Sequence, residues 1–354
     1  MGIISTLGTY YKEAYRLGHF PSLSRMLSGE KIFAYYGFLG DRNYGDELVF
    51  ESARHLFAPG IVLPVRRRMP IHLAYLAKAH KDRFAGVIIG GGTLIGPSFY
   101  NQHFFEDMRK LGKPIYMHGT GIQKQPAWNN AWKTYLSGKI FGGVRGPLSV
   151  GNMSGFREDV NITGDAAFAM FEMATAVCAN KESRTVLVNC GAHDPFPYMD
   201  QSRQAIEEFV GSLLQSGYQV QFMPCHSVDV ELGEALRRRH PAVVLLEIPK
   251  VYDEALEHFR KAAFAVGERL HFTAMGILTG CPFLSVNYSA KHDDLLASVE
   301  LAKAGAAPAD VTLRKIQSAF EQRQEFDWVN VFRLIDKYKK FQLSERAAFI
   351  SAGS

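Results

Sequence analysis

From Lys31 onward, short runs of β-branched and aromatic residues alternate with longer stretches in which apolar side chains recur every three or four positions. The short runs predict strands at Ile32–Tyr36, Ile61–Val65, Gly86–Ile89, Ile115–His118, Ile140–Val144 and Val160–Ile162. The stretches between them predict helices at Asp46–Phe57, Ile71–Lys81, Phe104–Leu111, Ala131–Leu136 and Pro147–Val150. Repeated strand–helix units with short connections call for a parallel sheet with helices on both faces. The pattern pauses near Ala176–Ser183, where Ala-Asn-Lys-Glu-Ser reads as a linker, and then resumes.

The second run predicts strands at Val186–Asn189, Val220–Met223, Val243–Leu246, Ala263–Val266 and Phe283–Val286. Helices are expected at Arg203–Leu214, Glu231–Arg238, Tyr252–Phe259 and Phe272–Leu278. Three more, at Asp294–Lys303, Leu313–Glu321 and Trp328–Lys339, finish the chain. The fold class is therefore α/β, with two Rossmann-like domains facing across a cleft in the manner of glycosyltransferase-B enzymes. The expected division is a first domain over residues 31–176, a second over 184–305, and C-terminal helices over 306–354. Residues 1–30 carry Ile3, Ile4, Leu7, Tyr11 and Tyr15 on one helical face, with Lys12 and Arg16 elsewhere. Such a helix packs against its own protein or a second subunit, or rests on a membrane surface.

A chain of 354 residues suits two domains, and 47% apolar with 21% charged residues describes an ordinary globular protein. The net charge of +5 suits anionic small molecules or a peripheral touch on an anionic membrane, and is too diffuse to argue for nucleic acid. The four cysteines are scattered with no C-x-x-C pair, so a zinc site or disulfide framework is not expected. No cleavable signal pattern and no apolar run near the length of a membrane span occurs, so a cytoplasmic location is expected.

The candidate chemistry sits where strands end. Gly37-Phe-Leu-Gly40-Asp-Arg-Asn43-Tyr-Gly45-Asp46-Glu47 follows the first strand and opens the first helix, with Asp46 placed as its N-cap. It reads either as a ligand loop or as a plain tight turn. Gly90-Gly91-Gly92-Thr93 follows an apolar strand and offers backbone N–H groups as a nest for an anion or a sugar hydroxyl. Neither stretch has the G-x-G-x-x-G spacing, and no G-x-x-x-x-G-K-[ST] occurs, so nicotinamide and P-loop chemistry lose weight. His118, in Tyr116-Met-His118-Gly119-Thr-Gly121, is either an acceptor contact or a structural histidine. Arg145 in Val144-Arg145-Gly146-Pro147 puts a planar fork at a strand end, suited to phosphate or carboxylate. His193-Asp194, His226 with Asp229, and His292-Asp293-Asp294 are polar wall groups without metal-ligand spacing, and no Asp-x-Asp occurs, so no metal is expected.

The stretch that organises the rest is Phe264-Ala-Val-Gly267-Glu268-Arg269-Leu270-His271. A buried strand ends there, and Leu270, Ala274, Ile277 and Leu278 then recur at helical spacing. Ligands of open α/β sheets bind outside the carboxyl ends of the strands, where helix N–H groups and a guanidinium make an anion site. Arg269 and His271 at that point suit an acidic substrate that needs a proton moved.

Taken in order, Asn43-Tyr44-Gly45-Asp46-Glu47, Gly90-Gly91-Gly92-Thr93, Gly119-Thr120-Gly121-Ile122-Gln123, Arg145-Gly146-Pro147, Gly164-Asp165 and Glu268-Arg269-Leu270-His271 with Lys291 resemble the polysaccharide pyruvyl transferase family. The resemblance runs from about residue 31 to about residue 295. It implies the two-domain glycosyltransferase-B-like fold and transfer of the pyruvyl unit of phosphoenolpyruvate onto two sugar hydroxyls as a cyclic ketal, with release of phosphate. It implies that Arg145, Arg269, Leu270 and Lys291 hold phosphoenolpyruvate and that His271 is catalytic. Asn43, Asp46, Gly91, Gly92, Thr93 and His118 remain candidates for the acceptor and its loops. Phosphoenolpyruvate enters as co-substrate and no cofactor is implied. Family practice points to a lipid-linked oligosaccharide acceptor at the inner face of the cytoplasmic membrane. Two rival readings stand beside this: a nucleotide-sugar glycosyltransferase in which Glu268 or Asp293 meets the ribose, and a non-catalytic assembly factor with a decayed cleft.

Overall fold

A computed structural model describes residues 25, 28–39, 42–65, 82–96, 112–124, 130–173, 182–191 and 198–353. Most of the N-terminal amphipathic stretch, the helices expected at 71–81 and 104–111, His193-Asp194 and most of the linker lie outside the described residues. The chain forms two compact units, one of residues 1–41, 49–170 and 338–354, the other of residues 42–48 and 171–337.

The first unit holds five strands: β1 (Ile32–Tyr36), β2 (Ile61–Val65), β3 (Phe84–Ile89), β4 (Ile115–Thr120) and β5 (Ile140–Val144). They form one parallel sheet in the order β2-β1-β3-β4-β5. β1 is buried along its whole length, as a strand covered on both faces must be. Its alternate side chains divide between two cores. Ile32, Ala34 and Tyr36 pack with Val87, Ile89 and Met117. Phe33 and Tyr35 pack with Phe50, Phe57, Ile88 and Tyr116. The period of two that marks a strand is thus realised as two apolar layers. The Phe349 ring, from the last helix, closes the second layer against Phe33, Phe57, Tyr116 and Phe141.

Two corrections to the sequence reading arise here. The first helix, α1 (Tyr44–Leu56), begins earlier than expected, and its N-cap is Asn43, not Asp46. The Asn43 side-chain oxygen accepts the Gly45 N–H at 3.1 Å, and its amide donates to Asp46 Oδ2 at 2.7 Å. Asp46 is the third helical residue, where its carboxylate complements the helix dipole and holds the Asn43 side chain. The expected strand at Val160–Ile162 is reduced to a single parallel bridge between Val144 and Ile162. Beyond it Gly164 adopts φ +70° and bends the chain away, so pairing stops. Two short helices, α2 (Asn130–Leu136) and α3 (Pro147–Met153), and a 3-10 turn over Ala166–Met170 also belong to this unit.

The second unit holds β6 (Thr185–Asn189), β7 (Gln219–Phe222), β8 (Val244–Leu245), β9 (Phe264–Gly267), β10 (Phe283–Val286) and β11 (Gly305–Ala306). All pairings are parallel, in the order β11-β10-β9-β6-β7-β8. β11 was not foreseen, since two residues of small side chains carry no periodicity. The helices are α4 (Met199–Gln215), α5 (Val230–Arg239), α6 (Tyr252–Lys261), α7 (Leu270–Thr279), α8 (Ala290–Ser298) and α9 (Leu313–Glu321). The long α10 (Trp328–Gly353) ends the described chain. Every residue of α7 is buried, which is why its apolar positions show little sidedness. Gly280, at φ 67°, stops it with a left-handed cap. Among the described residues no helix is long and apolar enough to cross a membrane.

Both sheets reverse direction once. In the first unit the chain runs β1 to β2 and then returns to the far side of β1 as β3. In the second it runs β6, β7, β8 and returns beside β6 as β9. At each such switch point the loops leaving adjacent strand ends diverge to opposite faces, and a crevice opens at the carboxyl edge.

Candidate active site

The crevice of the second unit gathers a dense polar cluster. β6 ends in Asn189 and β9 in Gly267, so Asn189 and Glu268–Arg269 are neighbours at the switch point. The buried Asn189 side chain donates to the Met223 carbonyl at 2.9 Å and accepts the Arg269 backbone N–H at 3.0 Å. It ties three adjacent strand ends together. Arg269 is the N-cap residue of α7, and His271 lies in that helix's first turn. The sequence expectation for both residues, strand end and helix start, is met by the structure.

Asp229 holds the Arg269 guanidinium. Its carboxylate, wholly buried, accepts from Arg269 Nε at 3.0 and 3.2 Å and from Nη2. The same carboxylate accepts the backbone N–H groups of Cys225 at 3.1 Å and His226 at 3.0 Å. Burial works against the charged guanidinium, but the hydrogen bonds and charge of Asp229 outweigh it and raise the Arg269 pKa. Tyr288, just beyond β10, lies close enough to interact with Arg269; burial pushes its phenol up to about 12, so it stays protonated.

Glu268 faces a different set of partners. Its buried carboxylate accepts the Gly191 N–H at 2.7 Å and pairs with Arg203 Nε at 3.2 Å. Burial raises its pKa to about 7, with Arg203 and the Gly191 N–H pulling the other way. Its backbone carbonyl accepts from His292 Nε2 at 2.9 Å. Lys291, at the start of α8, lies over the Tyr288 ring at 4.8 Å.

His271 is 9% exposed and is set by the start of α1. Tyr44 donates its backbone N–H to the Cys225 carbonyl at 2.8 Å, and Asn43 forms an antiparallel bridge with His226. The Tyr44 hydroxyl reaches Met275 Sδ at 3.5 Å on α7. These ties bring Gly45 against the imidazole so closely that a Cβ there would lie 2.0 Å from Nδ1. The Asn43–Glu47 stretch, which the sequence left open between ligand loop and turn, is a helix start that backs onto His271.

The first unit places its candidates at the carboxyl ends of β3, β4 and β5. Arg145 is fully buried, with Nε 3.3 Å from Asp165 Oδ2. Its Nη2 meets no hydrogen-bond acceptor among the described residues. Gly121 is needed beside it, since a Cβ there would stand 2.9 Å from Nη1 and 2.9 Å from Thr93 Oγ1. Gly91 packs against Val49 and Ala166, and Gly92 adopts φ +85° with open space around it. His118 is wholly buried, with Nε2 2.8 Å from Ser52 Oγ. The Ser52 hydroxyl donates its one hydrogen to the Val49 carbonyl, so His118 must donate from Nε2. Burial drives the His118 pKa down to about 4, with Asp165 opposing, and the ring is neutral near neutral pH. His118 is thus placed as a buried member of this polar cluster.

Arg203, Asn189, Tyr288 and Ser52 were missed in the sequence. Asn189 had a readable signal, a polar residue closing an apolar strand. Arg203 and Ser52 sit on helix faces whose partners depend on tertiary packing, and the sequence offers Asp229 only as a polar wall group.

Two parallel sheets with alternating helices make this an α/β protein of the glycosyltransferase-B-like fold class. Solved structures of similar fold include the UDP-GlcNAc 2-epimerase of Methanocaldococcus jannaschii, 11% identical over 84% of this chain and 93% of that one, with a TM-score of 0.54. The UDP-GlcNAc 2-epimerase of Neisseria meningitidis bound to UDP-GlcNAc is 11% identical over 91% of this chain and 97% of that one, with a TM-score of 0.53. At such identities the likeness is one of fold. A comparison with curated proteins found no match. The polysaccharide pyruvyl transferase family model matches residues 43–290, and the chain belongs to that family.

Proposed function

We propose that the protein transfers the pyruvyl group of phosphoenolpyruvate to two hydroxyls of a sugar in a polysaccharide precursor, closing a cyclic ketal and releasing phosphate. The observation that carries this reading is the pairing of a fixed guanidinium, Arg269, with an imidazole, His271, at the start of one buried helix. Phosphoenolpyruvate carries a carboxylate and a phosphate, and a guanidinium fork together with helix N–H groups suits either. Its methylene carbon must be protonated before the adjacent carbon becomes electrophilic, and His271 is the proposed acid. One sugar hydroxyl then attacks that carbon, the C–O bond to phosphate breaks, and the second hydroxyl closes the ring. Of the two hydroxyl protons released, one balances the proton spent on the methylene and the other leaves with phosphate.

Leu270 contributes its backbone N–H at the helix start, and Lys291 a further positive charge. Arg145 is proposed as an additional donor-binding residue on the ground that its buried Nη2 meets no acceptor among the described residues. Asn43 and Asp46 act through the helix start that backs His271, while Gly91, Gly92, Thr93 and His118 stay proposals for the acceptor side. The acceptor is proposed to be lipid-linked, which would bring the protein to a membrane face. No step calls on a metal or a further cofactor. The nucleotide-sugar alternative draws no support from Glu268, whose carboxylate is occupied by Arg203 and Gly191.

The test is incubation with phosphoenolpyruvate and a panel of lipid-linked or aryl glycosides, followed by mass spectrometry of the sugar. A pyruvyl ketal, absent with His271→Ala, is the expected result. Glycosyl transfer from a nucleotide sugar instead would overturn the proposal.

A further inference from the structure

We infer that Asp229 is the positioning residue that sets Arg269 for the donor, an inference that rests on the donor reading above. A buried, charged aspartate needs several hydrogen bonds to offset its lost hydration. Asp229 obtains them from two sources: the Cys225 and His226 backbone N–H groups, and the Nε–Nη2 edge of Arg269. The backbone pair anchors it to the loop after β7, so its position does not depend on Arg269. Arg269, in contrast, depends on Asp229 for direction.

With the Nε–Nη2 edge engaged, the guanidinium plane is fixed before any donor arrives. A free arginine would give up most of its rotamer freedom on binding, and one already held gives up little. The expected electrostatic objection is that a carboxylate should repel an anionic donor. Here that charge is shared with two backbone dipoles and with Arg269 itself, and Lys291 remains beside Tyr288 as further positive charge. The Asp229 anchor loop also carries the Cys225 carbonyl and the His226 bridge that receive Tyr44 and Asn43. One buried carboxylate therefore fixes the arginine and steadies the loop on which the wall behind His271 is built.

The test uses the full chain and a double-mutant cycle of D229N, R269A and the double variant, with phosphoenolpyruvate binding read by calorimetry. Asparagine keeps the shape and can still accept one backbone N–H. D229N should weaken phosphoenolpyruvate binding by about 10- to 100-fold. In the R269A background it should change affinity by less than about twofold, since its effect passes through that arginine. Equal or tighter binding by D229N, or full additivity of the two losses, would overturn the inference.

A second measurement is independent of both the donor and the variant's folding. In the wild-type protein the Arg269 Nε–H proton should give a resolved NMR signal in slow exchange with water. A fast-exchanging Nε–H would sink the positioning role whatever the ligand. A wild-type protein with the slow signal but no affinity for phosphoenolpyruvate would support the positioning role and overturn the donor reading alone.

Discussion

Gly45→Ala is a one-methyl probe of how His271 is held. The glycine occupies the first turn of α1 with a φ that any residue adopts, so the backbone accepts alanine without strain. The space does not. The added Cβ would sit 2.0 Å from His271 Nδ1, 2.8 Å from Cγ and 3.0 Å from Cε1, against an ordinary contact of 3.4–4 Å. The ring must retreat by more than an ångström, or the helix start must lift from it. Retreat is hindered because every residue of α7 is buried. Overpacking of this kind costs about 1–3 kcal/mol, and the better helix propensity of alanine returns up to about 1 kcal/mol. Stability should therefore fall by no more than about 3 kcal/mol. Turnover should fall as well, since displacing a reacting group by about 1 Å costs on the order of 100-fold. Arg269 is held by Asp229, and the three atoms nearest the new methyl all belong to His271. The expected pattern is a kcat about 100-fold lower with phosphoenolpyruvate affinity changed less than about threefold. The assay is acceptor-dependent phosphate release, with calorimetry for the donor and a thermal melt for folding. Wild-type turnover in a folded Gly45→Ala protein would refute the claim that the ring's placement matters.

Other outcomes follow from the same structure. His271→Ala should abolish ketal formation while phosphoenolpyruvate still binds, checked by mass spectrometry and calorimetry on one preparation. Arg145→Ala removes the ion-pair partner of the buried Asp165 and should cost about 3–5 kcal/mol in denaturant unfolding, with Arg145→Ala/Asp165→Asn recovering part of it. Glu268 has a folded pKa of about 7 against an ordinary 4.5, so the stability tied to its proton is present below pH 4.5 and is lost as pH rises towards 7. Across that window the wild type should lose stability relative to Glu268→Gln, and an unchanged difference would contradict the assignment. His118 runs the other way: with a pKa lowered from 6.5 to about 4, its contribution is present above pH 6.5 and is lost as pH falls towards 4. Nitrogen-detected NMR should show it neutral at pH 7 with the proton on Nε2.

The strand ends were legible in the sequence because a buried parallel strand shows as a short apolar run. β1, β2 and β5 have the bounds that the pattern predicts, and Arg269 and His271 fall where β9 gives way to α7. What lies around those two residues was not legible. Asp229 is forty positions earlier than Arg269, and only the order β9-β6-β7 brings the loop after β7 to the same edge. Gly45 is far earlier still, and its place depends on the ties of Asn43 and Tyr44 to His226, Cys225 and Met275. Asp46 was misplaced for a local reason: Asn and Asp both cap helices, and the pattern does not show which of two, three residues apart, takes the cap. Val160–Ile162 has the composition of a strand, yet Gly164 turns the chain after one bridge. Periodicity records which face is buried, not how far pairing continues.

The most direct measurement is the reaction run in heavy water with phosphoenolpyruvate and a sugar acceptor, followed by mass spectrometry and NMR of the product. Proton donation to the methylene requires that the ketal methyl carry one deuterium from solvent, with one phosphate released per ketal formed. Phosphate release without a ketal, or a ketal methyl free of deuterium, would contradict the account.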